Sequence, residues 1–127
     1  MNKKTFIKKY HNKSIEDWGC YNSDESKQMC RDFVSMLKTE LKDYQPQITI
    51  EPNHYDFGGM VCINGKYVYV SYSIPRYGEP IKIESRDPLY GILYRTAQHE
   101  KDWKGGMNNF TNFDGICEGI LKLAQAI

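Results

Sequence analysis

Apolar residues recur at three- and four-residue spacing between about Ser23 and Tyr44, at Met29, Cys30, Phe33, Val34, Leu37, Leu41 and Tyr44. That period predicts one amphipathic helix. Ser23 or Asp24 can cap its first turn, Asp24 and Glu25 suit the positive end of its dipole, and Pro46 stops it. Upstream, Ser14-Ile15-Glu16-Asp17 reads as a capping-box-like start to one short turn that Gly19 ends. From Gln47 the period falls to two, with Ile48 and Ile50 alternating against polar neighbours, which predicts a strand.

Asn64-Gly65 between two β-rich runs predicts a two-residue hairpin, because a type I′ turn requires positive φ at both central residues. The register then follows outward. Ile63 pairs with Lys66, Val61 with Val68, Gly59 with Val70, Phe57 with Tyr72 and Tyr55 with Ile74, all on the core side. The opposite face receives Cys62 with Tyr67, Met60 with Tyr69, Gly58 with Ser71 and Asp56 with Ser73, with His54 just beyond. Gly58-Gly59 implies either a bulge, which would shift this register, or a close approach of another group.

Further strands are predicted at Ile81 to Ser85 and Ile92 to Ala97, with Pro75 to Pro80 a loop. A final helix runs from about Thr111, with Asp114 as cap partner, through Ile116, Ile120 and Ala124. Gly115 and Gly119 would let it lie close to a sheet. Strands in one block between helices imply an α+β domain: an antiparallel sheet of about five strands flanked by an N-terminal and a C-terminal helix. A chain of 127 residues fits a single domain spanning 1–127.

The composition, 40% hydrophobic and 26% charged, excludes a disordered or fibrous chain. A formal net charge of +1 conceals a polarity. Residues 1–13 carry five lysines (Lys3, Lys4, Lys8, Lys9 and Lys13) and no acid, whereas residues 14–127 carry 12 basic and 16 acidic side chains. The first thirteen residues therefore read as a basic arm. It can follow a phosphate backbone, with Phe6 and Tyr10 stacking on bases, or dock on the acidic body of its own domain. No apolar stretch follows the N-terminal lysines as an export signal would require, and no run reaches the ~18 residues of a membrane span, so a cytoplasmic protein is expected. The four cysteines, Cys20, Cys30, Cys62 and Cys117, are unevenly spaced, which favours reduced thiols.

The chemistry-bearing stretch is Arg95 to Asn109, which holds a titratable His99, two carboxylates, Trp103 and Gly105-Gly106. It can bind an anion or position a water, or it is a solvated connection in which Trp103 plugs the edge of the core. His54 and Asp56 share a strand face and with Glu84 or His99 would make a small metal-dependent hydrolase or nuclease, but three or four convergent ligands are needed and only two are placed. No G-x-S-x-G elbow and no phosphate-binding glycine loop occurs. No catalytic residue, metal or cofactor is assigned on this reading. Ten tyrosines, Tyr67 and Tyr69 among them on the non-core face, suit either an interface or base stacking.

Tyr94-Arg95-Thr96-Ala97, followed by Lys101-Asp102-Trp103-Lys104-Gly105-Gly106-Met107-Asn108, resembles small accessory proteins of phages and conjugative elements of Gram-positive bacteria. Some of those are anti-CRISPR or other anti-defence inhibitors. The resemblance covers the last third of the chain and implies an inhibitor that acts by binding a protein partner such as a bacterial defence nuclease; it carries no functional residues over to this chain. The candidate contacts, Tyr67, Tyr69, Arg95, His99 and Trp103, come from the interface-like mix of aromatic and charged residues. The alternative is a nucleic-acid-binding protein using the basic arm and the sheet tyrosines.

Overall fold

The computed structural model describes residues 1–15, 23–75 and 79–127. Its elements are α1 (Lys3–Tyr10), α2 (Asp24–Glu40), a short 3₁₀ turn (Lys42–Tyr44), β1 (Gln47–Pro52), β2 (Asp56–Ile63), β3 (Lys66–Ser73), β4 (Ile92–Ala97), β5 (Asn109–Thr111) and α3 (Ile116–Leu123). The strands form one antiparallel sheet in the order β1-β2-β3-β4-β5, each paired with its neighbour in sequence. This is an α+β architecture with helices from both ends of the chain on the sheet.

The hairpin has the register that its turn dictates. Asn64 and Gly65 take φ of 50° and 78°, and Ile63↔Lys66, Val61↔Val68, Gly59↔Val70 and Phe57↔Tyr72 pair in order, continued by the Ile74 N–H donating to the Tyr55 carbonyl at 3.0 Å. No bulge interrupts it. Gly59 has the other role: a Cβ there would lie 1.8 Å from the Thr49 carbonyl oxygen of β1, so the two backbones approach more closely than any side chain permits.

α2 begins where its sequence caps it, with Ser23 Oγ accepting the Ser26 N–H at 3.2 Å. It lays Met29, Cys30, Phe33, Met36 and Leu37 on the sheet face that presents Phe57, Val61, Val68, Val70 and Tyr72. Phe33 is the hub, with ring centroids 5.3 Å from Phe57, 5.9 Å from Phe113 and 6.0 Å from Phe6. Each such buried side chain contributes roughly 1.5–3 kcal/mol over an exposed one.

Residues 1–13 are not an arm. Lys3–Tyr10 is a helix whose Phe6 and Tyr10 are fully buried, so neither ring is available to stack on a base. The i,i+4 apolar pair inside the lysine run fixes α1 to the core. Asp32 locks it to α2, accepting from Lys9 Nζ and the Tyr10 hydroxyl at 2.6 Å each and from Gln28 Nε2 at 2.9 Å. Burial alone would raise the Asp32 pKa, but these donors together hold it below its ordinary value of 3.8. Lys3 adds a 3.2 Å ion pair with Asp114.

Two other expectations are corrected. Ile81–Ser85 is not a strand. Ile81 and Ile83 are buried, as their alternation implies, but Ile81 donates to Lys13 O, Ile83 O accepts from Phe113 and Ser85 turns back on Lys82. Those partners come from separate segments, and the fifth strand is instead Asn109–Thr111. Because Thr111 is taken by the sheet opposite Ile92, the last helix begins only at Ile116, and Asn112 rather than Thr111 accepts the Gly115 N–H, at 2.8 Å. Gly119 does bring α3 onto the sheet: a Cβ there would lie 2.8 Å from the Tyr94 ring. The short turn expected over Ser14–Gly19 lies mostly outside the described residues. Cys30, Cys62 and Cys117 are free thiols, and no described helix is long and apolar enough to cross a membrane.

Candidate protein-binding face

Alternation along the strands sends Thr49 of β1, Met60 of β2, Tyr67 and Tyr69 of β3, Leu93 and Arg95 of β4 and Phe110 of β5 to the side opposite the core. Among the described residues no helix packs on that side. Tyr67 and Tyr69 are half-buried, not sealed beneath a helix.

What lies over this face is the connection from β4 to β5. The Arg95 guanidinium stacks 4.2 Å above the Tyr69 ring and donates to the Trp103 carbonyl, and the Trp103 ring meets Tyr69 edge-on at 6.0 Å. Three of the sequence candidates, Tyr69, Arg95 and Trp103, therefore form one cluster. Arg95 is 7% exposed and Trp103 58%. Trp103 does not plug the edge of the core; it lies on the open side of the sheet, where with Thr49, Met60, Glu100 and Lys101 it lines a cavity of about 240 Å³. Tyr67 lies two residues along β3 on the same face. Its hydroxyl pKa is raised first by the Cys62 thiol across the strand pair, then by burial, a hydrogen bond to that thiol and the charge of Glu100.

The loop that carries Trp103 is organised by Asp102. Asp102 accepts the backbone N–H of Gln98 at 2.9 Å and of Lys104 at 3.3 Å. The Gln98 N–H foremost, with those of Lys104 and Gly105, lowers its carboxyl pKa. The Asp-x-x-Gly spacing is the available signal, since short acidic side chains commonly bond backbone amides just beyond them. His99 is exposed and uses Nδ1 to accept the Lys101 N–H at 3.2 Å, so it shapes the loop and adds no contact to the cluster. Met60, 3% exposed, is the floor of the cluster and was legible only as the partner of Tyr69.

The metal-hydrolase constellation is not assembled. Asp56 pairs with Ser73 and Ala97 with Tyr67, six residues further along β3, so His54 and Asp56 lie at one end of the sheet and His99 at the other, about 20 Å away. His54 stacks on Tyr55 with centroids 3.9 Å apart. Among the described residues no group of three or more histidines, cysteines or acids is arranged to hold a metal ion. Burial pushes the Cys30 thiol up to about 11 and the Cys117 thiol up to about 12, which keeps both protonated at neutral pH. The helix α1 lies on the covered side of the sheet, whereas Tyr67 and Tyr69 lie on the other.

No protein-family model matches the chain, and neither do any of the curated proteins or solved structures compared with it. The likeness of the C-terminal third to mobile-element accessory proteins gains no relative or structural neighbour from these comparisons.

Proposed function

We propose that this chain is a non-enzymatic cytoplasmic binding protein of the anti-defence type, which inhibits a protein partner such as a bacterial defence nuclease through the open face of its sheet. The observation that carries the reading is Trp103, a large aromatic more than half exposed and held by Tyr69 and Arg95 beside a cavity of side-chain size. Trp, Tyr and Arg are the residues that dominate interface energetics when clustered around a pocket. The cavity is smaller than the ~300–1,000 Å³ of a drug-sized ligand site, which favours a partner's side chain over a small-molecule substrate.

The test is binding of the purified protein to purified CRISPR effector nucleases of Gram-positive bacteria, read by biolayer interferometry and by protection of a targeted plasmid. The reading expects at least one effector to bind and to lose activity, and Trp103→Ala to weaken binding by roughly tenfold or more. Absence of binding and of plasmid protection across the panel would overturn the inhibitor assignment.

A further inference from the structure

The helical side of the molecule carries a second, separate surface. Residues 1–44 carry nine basic and seven acidic side chains, a net of +2, against eight basic and nine acidic side chains, a net of −1, over residues 45–127. Lys8 and Lys9 in the last turn of α1 suit its dipole, but the cations of its first turn do not. Lys3 and Lys4 occupy its first turn, where the helix dipole is positive, with no acid there to offset them, and Lys4 and Lys8 are like charges one turn apart. Asp114 answers Lys3 and Asp32 answers Lys9, but among the described residues Lys4 and Lys8 have no ion-pair partner.

These two lysines stand about 6 Å apart along the helix axis and line an open groove of about 530 Å³ with Ile7, His11 and the paired Lys3 and Asp114. α1 runs antiparallel to α2, with Lys3 beside Glu40 and Lys9 beside Asp32. The exposed side of α2 adds a second basic groove lined by Arg31, Lys38 and Lys42. Two groups of exposed cations on neighbouring helices complement a polyanion. An anionic membrane fits less well, because the apolar side of α1 is spent on the core and only the half-buried Ile7 is left to insert.

We propose that the outer face of α1 and α2 binds the phosphate backbone of nucleic acid, without reading sequence, at a site distinct from the Trp103 face. Fluorescence anisotropy of a labelled 20-base-pair DNA duplex between 20 and 200 mM salt tests it. Binding is expected at low salt, with log K falling linearly against log salt; Lys4→Gln with Lys8→Gln should lower the magnitude of that slope by about 2 and weaken binding. Removing the same charge elsewhere, by Lys101→Gln with Lys104→Gln, should leave the slope unchanged, as should Trp103→Ala. The proposal is overturned by no duplex binding at 20 mM salt, by an equal loss in the two double variants, or by tighter binding to phosphatidylcholine vesicles containing one-third phosphatidylserine than to the duplex.

Discussion

The two faces of this sheet are built from alternate residues of the same strands in one register, yet they serve different ends. The covered face is mainly aliphatic and aromatic and is packed by helices, with Phe57 touching Phe33 and Tyr72, and Phe113 touching Phe33 and Tyr72 in turn. The open face mixes Thr49, Met60, Tyr67, Tyr69 and Arg95, and among the described residues it is crossed by the β4–β5 loop and by no helix. Period-two alternation separates the two roles at no topological expense: changing a residue by one position moves it from the fold to the surface. Stability should therefore respond to one set of positions and recognition to the other.

The largest stability effect is expected on the covered face. Phe33→Ala removes the hub of the aromatic core and should cost about 4 kcal/mol in urea unfolding. Asp32→Ala should cost about 2 kcal/mol, because it strands the buried Tyr10 hydroxyl and frees α1; the partly exposed Lys9 adds little. Asp32 also gives a pH signature. Its folded pKa lies below 3.8, so its contribution is present above that value and disappears as pH falls through the folded value. The urea midpoint of the wild type should drop on acidification below about pH 4 more steeply than that of Asp32→Asn.

Smaller effects refine the contrast. Tyr72 Oη is buried and makes no hydrogen bond among the described residues, and burial raises its pKa. Tyr72→Phe should therefore be neutral or stabilising by up to about 1 kcal/mol, unlike any truncation of its neighbours. On the open face, Asp102→Ala should leave global stability close to wild type while the amides of Gln98 and Lys104 exchange roughly tenfold faster, since their acceptor is gone.

Much of this organisation was legible in the chain, for reasons that differ by element. Asn64-Gly65 determines the hairpin register because only a type I′ turn suits it, and both faces of β2 and β3 follow from counting. α2 announces itself by a sustained period and a serine cap. α1 is obscured by its lysines, which draw attention away from Phe6 and Tyr10 one turn apart. β5 is three residues long and carries too little pattern to compete with the Ile81/Ile83 alternation, whose side chains are buried although their backbones bond to loops. At the candidate site, Tyr69, Arg95 and Trp103 were identifiable by residue type. Their convergence depends on how the β4–β5 loop folds back, and that is determined by the Asp102 hydrogen bonds rather than by any hydrophobic period.

The separation of fold from recognition is tested most directly by the affinity of a Tyr69→Ala/Trp103→Ala variant for the effector nuclease that the wild type binds, measured beside its thermal midpoint. The account predicts at least a tenfold loss of affinity with a midpoint lowered by no more than about 3 °C, since both side chains lie outside the core. Unchanged affinity, or a loss of affinity that only accompanies unfolding, would contradict it.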